Sequence, residues 1–330
     1  MLPRFVSTLP EGVHRSDLPT PFRVGHVNCY LLTDPPVTLI DPGTLEPGSL
    51  ESLAEFLREH GMSFTDVEQV VITHAHPDHF GAAAVVAARS GARIVCGAPE
   101  RESLVGARDS GAAFVLLRGL GVPEAVAAGL VGSGDSVLAR VVKFVDPAML
   151  FPVYEGDRLR AGGREFICLL ASGHADGHLL LWDPRDGFLI SGDHLLPRII
   201  PVPSLVDGDE TARRRPFLDY LSSLKRFVAL EPEVLLPGHG SPFTDVDLLA
   251  ERLHSHGRDR AEHIAEILSE SDRPVTPYDI ARRLQWQPQG ARLVMGLANV
   301  QGHLDLLAEA GRVAAHETDG AVSYRLGRSI

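Results

Sequence analysis

The chain has 330 residues, more than one compact core usually requires, so a large domain accompanied by a smaller one is the expected organisation. Hydrophobic residues make up 44% and charged residues 22%, the balance of a folded globular protein rather than a disordered or fibrous one. Against 43 acidic residues stand only 31 basic ones; the formal charge of -12 argues against a broad nucleic-acid-binding surface, though not against a local basic groove, and disfavours polyanionic substrates.

At the N-terminus Pro3, Arg4, Glu11, His14 and Arg15 interrupt any apolar core, so no signal peptide is expected. No run approaches the roughly 20 apolar residues of a membrane span, and the expected setting is cytoplasmic, with no membrane partner. Cys29, Cys96 and Cys168 are odd in number and far apart, each in an apolar strand-like run, which suits buried free thiols better than a disulfide framework.

Val27 to Leu32 and Val37 to Ile40 read as strands around the turn Asp34-Pro35-Pro36, and Asp41-Pro42-Gly43 ends the second. Pro47 to His60 has the apolar spacing of an amphipathic helix, with Gly61 as its stop. The β-branched run Val67 to Ile72 then leads directly into Thr73-His74-Ala75-His76-Pro77-Asp78-His79. Imidazoles and a carboxylate this dense are costly to bury unless a cation or a hydrogen-bond network compensates them. The spacing His-x-His places His74 and His76 on one side of an extended segment, while Asp78 and His79 fall on the turn into a helix. That pattern suits two neighbouring metal ions.

Asp78 to Arg89 reads as a buried helix and Ala92 to Cys96 as a strand. Residues 99–153 break the alternation, with short helices expected near Glu100 to Arg108 and Pro123 to Val131. Such an insertion suits either helices that simply pack on the sheet or a lid whose Phe114, Leu116, Leu117, Val126, Leu130 and Met149 wall a cleft above the metals. Strands resume at Arg158 to Ala161, Glu165 to Leu170, Leu179 to Trp182 and Phe188 to Ile190. Three further polar groups follow apolar runs and a glycine: Gly173-His174, Gly192-Asp193 and Gly238-His239.

With these residues the chain resembles the metallo-β-lactamase superfamily of binuclear hydrolases, whose His-x-His-x-Asp-His motif, single His, bridging Asp and final His match positions 74–79, 174, 193 and 239 in order. The resemblance spans roughly residues 20–245 and implies an αββα sandwich of two mixed sheets with helices outside. It implies that His74, His76 and His174 hold one metal, that Asp78, His79 and His239 hold a second, and that Asp193 bridges them. Two divalent ions are implied as cofactors, with zinc expected and iron or manganese as alternatives. A metal-bridging hydroxide would then be the nucleophile, with Asp78 accepting the water's proton. His178 and His194 neighbour the ligands and are candidate catalytic residues, either orienting ligands through hydrogen bonds or supplying a leaving-group acid.

Pro216 to Leu224 has helical spacing, and the tail offers helices over Asp247 to Ser269, Thr276 to Ala281 and Ala291 to Ala310, then a hairpin around Asp319-Gly320. This resembles the branch of the superfamily with a C-terminal winged-helix-like appendage. The expected domains are therefore 1–250, catalytic, with 99–153 as its helical insertion, and 251–330, winged-helix-like. Residues 272–330 contain seven Arg and six Asp plus Glu, and the third helix carries Asp305 and Glu309, so packing or homo-oligomer formation is favoured over nucleic-acid binding. A small-molecule ester, thioester or lactone is the expected substrate. The alternatives are a phosphodiesterase or endoribonuclease, a mononuclear iron oxygenase, and a metal-stabilised regulatory module.

Overall fold

The computed structural model describes residues 3–107, 110–205, 214–284 and 290–327. Strands β1 (Val13–Leu18), β2 (Val27–Leu32), β3 (Thr38–Ile40) and β4 (Gln69–Ile72) open a six-stranded sheet, with helix α1 (Pro47–Glu59) crossing between β3 and β4. Helices α2 (Pro77–Phe80) and α3 (Ala83–Ser90) lead to β5 (Arg93–Gly97). Helices α4 (Arg101–Leu104), α5 (Ser110–Gly119) and α6 (Glu124–Val141) precede the last strand, β6 (Leu150–Val153). From β3 to β6 every pairing is parallel, which demands crossovers of this kind.

A second sheet holds β7 (Arg158–Ala161), β8 (Arg164–Ala171), β9 (His178–Asp183) and β10 (Phe188–Gly192). After α7 (Pro216–Val228) it gains β11 (Val234–Pro237), paired in parallel with β10. Side chains alternate across the pleat of the first sheet. Tyr30, Leu32, Ile40, Val71 and Val95 turn inward to meet Phe166, Cys168, Leu181, Phe188 and Ile190 of the second sheet. Their neighbours Leu31, Leu39, Val70, Ile72, Ile94 and Cys96 pack instead against Leu53, Phe56 and Leu57 of α1 and Val86 and Ala87 of α3. Each such large side chain contributes about 1.5–3 kcal/mol by leaving water, and the sandwich expected from the sequence is what these two faces build. All three cysteines are buried and free.

Strands β1 and β6 had no sequence signal. Their composition explains this: β1 is apolar only at its ends, and β6 contains Pro152 and an exposed Phe151. Both are sheet edges, where neither strict alternation nor a full ladder is required. Helix α5 was likewise unanticipated, α6 runs ten residues beyond the expected Val131, and Arg108, the expected end of an earlier helix, lies outside the described residues.

Contacts divide the chain into two compact units, one of Met1–Arg108, Leu138–Pro201 and Lys225–Ala250, the other of Asp109–Val137, Val202–Leu224 and Glu251–Ile330. The insertion is thus shared rather than kept within the first unit. Leu104, Val141, Val142, Val145 and Leu150, with Met149, pack under the first sheet. In the second unit Leu117, Leu120, Val122 and Ala127 enter one apolar core with Ile264, Leu268, Ile280, Leu297 and Leu304, and Phe114, Val126 and Leu130 pack around it. Of the residues expected to wall a cleft, Phe114, Leu117, Val126 and Leu130 belong to this core or pack around it, and Met149 belongs to the other.

The tail contains α8 (Val246–Ser269), α9 (Pro277–Arg283), α10 (Ala291–Glu309) and the hairpin β12 (Val313–Thr318) and β13 (Ala321–Leu326), the order of elements read from the sequence. Asp319 and Gly320 both have positive φ, as a two-residue hairpin turn of this hand requires. Asp305 does not shape the surface of α10, since it is buried and accepts from Gln301 Nε2 at 2.8 Å. Glu309 is engaged by Arg215. Arg273, Arg282 and Arg283 instead gather with Thr276 and Ser323 around a cavity of about 580 Å³.

His303 of α10 is buried against Phe217, and its Nδ1 lies 2.6 Å from the Asn299 carbonyl. Burial pushes its pKa down to about 4. The folded state therefore keeps a neutral imidazole while the unfolded chain takes up a proton near pH 6.5. Stability from this group is full above about pH 6.5 and falls as pH drops towards about 4, by on the order of 3 kcal/mol. Chemical unfolding of metal-free protein across this range should show that decline, and His303→Leu, which keeps apolar packing without titrating, should flatten it. Equal slopes for the two proteins would remove His303 as the cause.

Candidate metal centre

Four loops at strand ends build the site. Strand β4 runs into Thr73 and the histidine motif, the turn between β8 and β9 carries His174, Asp193 follows β10, and His239 follows β11. In the first loop Pro77 opens α2 and places Asp78 and His79 in its single turn. All seven candidate ligands converge in three overlapping groups: His74, His76 and His174; His74, His79 and Asp193; Asp78, His79 and His239. Within each group the donor atoms lie within 4.8 Å of one another. Six of the seven are buried and His76 is partly so.

The loops approach so closely that side chains must be absent between them. A Cβ on Gly238 would fall 2.3 Å from Asp193 Oδ1 and 2.8 Å from His79 Cε1. Around Asp193 the contacts are longer than ordinary hydrogen bonds: His79 Nε2 faces Oδ1 at 3.5 Å, and His239 Nε2 faces Oδ2 at 3.4 Å. Asp78 Oδ2 lies 3.4 Å from the same His239 nitrogen. His79 Nε2, His239 Nε2 and Asp193 Oδ1 are buried without a hydrogen bond to satisfy them, which fits a cation held at about 2 Å from each donor.

Charge tells the same story. Burial holds His74 well below the usual imidazole range and His76 at about 3, with His174 adding to the effect on His76. These rings are neutral, the form that ligates. At His79 and His239 burial is outweighed by Asp193, helped by Asp41 and Asp78 at His79 and by Asp78 at His239; His79 is raised well above its ordinary range and His239 to about 10. Asp193 is held well below the carboxylate range, since the charges of His79 and His239 overcome its burial. A divalent ion entering here displaces protons from the pair, so loading is favoured by rising pH.

His178 and His194 are both fully buried. His178 Nε2 accepts from the Asp193 backbone N–H at 3.0 Å, and its ring stacks on His74 with centroids 4.7 Å apart. His194 packs edge-on against Phe227, and burial lowers its pKa to about 3. Burial likewise holds His178 neutral.

Sequence reasoning missed Asp41. This buried residue, at φ +52°, ends β3 beside β4 and accepts from Thr73 N–H at 2.9 Å and Thr73 Oγ1 at 2.7 Å. Its Oδ2 also accepts from His79 Nδ1 at 2.8 Å, which leaves Nε2 of that ring for the centre. Because Thr73 Oγ1 gives its proton to a carboxylate that can only accept, it is left to accept from His74 Nδ1, 3.1 Å away. One carboxylate thereby fixes the tautomers of two rings. The available signal was Ile40-Asp41-Pro42-Gly43, a carboxylate at a strand end next to the motif strand.

Comparison with known proteins identifies the family. The family model described as Metallo-beta-lactamase superfamily matches residues 22–239. A probable metallo-hydrolase of Bacillus subtilis, YqjP, is 29% identical over 328 residues, covering 96% of this chain and 98% of that protein. Among solved structures, a metallo-beta-lactamase family protein from Thermus thermophilus is 27% identical with a TM-score of 0.82, covering 97% of this chain and all of its own. A beta-lactamase domain protein from Burkholderia ambifaria is also 27% identical, with a TM-score of 0.77 and coverage of 99% and 97%.

Asp41→Asn keeps the size of the side chain but sets an amide N–H against one of the N–H or O–H donors that now point at it. Metal affinity should fall by about 10- to 100-fold, measured by competition with a chromophoric chelator. An unchanged dissociation constant would contradict the role given to Asp41.

Proposed function

The chain belongs to the metallo-beta-lactamase superfamily and is a metal-dependent hydrolase; on that footing we propose that it uses two divalent ions, zinc by default, to hydrolyse an ester, thioester or lactone. The observation that carries this reading is the convergence of His74, His76 and His174 on one side and Asp78, His79 and His239 on the other, with Asp193 between them. Bound there, two divalent ions would supply a water of lowered pKa and polarise the carbonyl it attacks.

The chain's own residues do the rest. Asp78, 8% exposed and with its carboxyl held below the usual range, mainly by His79 against the opposing effect of burial, is placed to accept the proton of an attacking water. Asp193 joins the two halves of the site, and His178 holds its backbone through the Asp193 N–H. As a buried acceptor kept neutral, His178 suits orienting that loop rather than protonating a leaving group. We assign His194 the same supporting role, because its ring is packed against Phe227 and its low pKa leaves it without a proton to give near neutrality.

Substrate class follows from charge. An excess of 12 acidic residues over basic ones favours a neutral acyl compound over a polyanion, and an acyl carbonyl is a fitting electrophile for a two-cation site. The apolar insertion adds no support for an acyl pocket, since Leu117, Leu120, Val122 and Ala127 share a core with the C-terminal helices. We read the C-terminal helices and hairpin as a winged-helix-like module for packing or self-association. No helix among the described residues is long and apolar enough to cross a membrane.

A panel of p-nitrophenyl esters, thioesters, lactones, nitrocefin and single-stranded RNA tests the proposal. Turnover of at least one acyl substrate is expected, lost on chelation and restored by zinc. Turnover of RNA alone would overturn the substrate class in favour of a phosphodiesterase.

A further inference from the structure

Glu100 lies outside every ligand loop, in a single 3-10 turn, Ala98–Glu100, between β5 and α4. It is 4% exposed, and among the described residues no basic side chain comes within ion-pairing distance of it. Its partners are backbone groups. Oε2 accepts from Ala75 N–H at 2.8 Å and Oε1 accepts from Gly177 N–H at 2.7 Å. Ala75 stands between His74 and His76, while Gly177 stands between His174 and His178.

Burying a carboxyl group without a cation is expensive and stabilises a fold only where the geometry around it is well satisfied. Here each oxygen engages a different loop. We propose that Glu100 is a positioning residue for the metal centre, stapling the loop that carries His74 and His76 to the loop that carries His174 and so setting the separation of the three imidazoles. This rests on the reading of those residues as ligands.

The packing around the staple leaves it little freedom. A Cβ on Gly97 would fall 2.1 Å from the Gly177 carbonyl oxygen, and one on Gly177 would fall 2.6 Å from Pro99 Cδ. The turn and the His174 loop are therefore in backbone contact, and the Glu100 side chain spans a fixed short distance. At the far side of the staple the His174 ring centroid is 5.0 Å from that of His74 and 4.6 Å from that of His76.

Glu100→Gln tests the proposal, because glutamine fills the same space with one acceptor oxygen, so its amide N–H must oppose a backbone donor of Ala75, Asp176 or Gly177. Glu100→Asp is the second variant: it keeps both oxygens and shortens the reach by a methylene. In metal-free protein with a native circular dichroism spectrum, hydrogen exchange should rise together in residues 74–79 and 173–178 while the sheets stay protected. Zinc affinity should fall by about 10- to 100-fold, and the cobalt absorption spectrum should change. Unchanged exchange and affinity in both variants would overturn the staple, as would failure of both to fold, which would make Glu100 a residue of global stability. Wild-type protein that binds no metal, or binds it equally well as His76→Ala, would instead overturn the ligand assignment and this proposal with it.

Discussion

A carboxylate buried among imidazoles is tolerable only where the charges around it balance, and the arrangement around Asp193 depends on that balance. The residue is 6% exposed, with His79, His174 and His239 within 3.8 Å of its carboxylate oxygens. Protons on His79 and His239 can supply the compensating positive charge, as their raised pKa values indicate, and so can divalent ions. Every other feature of the site serves to keep these groups together. Asp41 sets which nitrogens face inward, and Gly238 lets the loops touch. His239 is aimed by its own contact, with Nδ1 2.7 Å from the His26 carbonyl oxygen. Asn28 Nδ2 donates to the carbonyls of Pro237 and Gly240, both at 2.7 Å, and ties that loop to β2.

The fold supplies this site through strand ends. β4 and β5 are parallel, as are β10 and β11, so their following loops leave the sheets on the same side. Two sheets packed face to face then bring the loops of one against those of the other, with Tyr30, Val71, Phe188 and Leu236 sharing the layer between them. A rigid, doubly covered scaffold thereby holds polar groups that would not stay buried on a lone hairpin.

The candidate ligands were legible in the sequence because metal chemistry leaves a dense signal, namely several imidazoles and a carboxylate at fixed spacing, each at the end of an apolar run. Their supports were not. Asp41 and Glu100 are single carboxylates, and an isolated acidic residue beside a turn ordinarily faces water. Only the three-dimensional approach of Thr73 and His79 to one, and of Ala75 and Gly177 to the other, distinguishes them. The parallel core strands were readable from their β-branched runs, whereas β1 and β6 obeyed the looser demands of sheet edges. Leu117, Leu120, Val122 and Ala127 of the insertion are buried, but apolar composition says that a residue is covered without saying by what; these found helices of the second unit.

Anomalous diffraction from zinc-loaded crystals, recorded on both sides of the zinc absorption edge, addresses the centre most directly. Two peaks are expected, one coordinated by His74, His76 and His174 and the other by Asp78, His79 and His239, each with an oxygen of Asp193 within coordinating distance. A single ion, or zinc bound only elsewhere on the protein, would contradict the binuclear centre and the hydrolytic chemistry assigned to it.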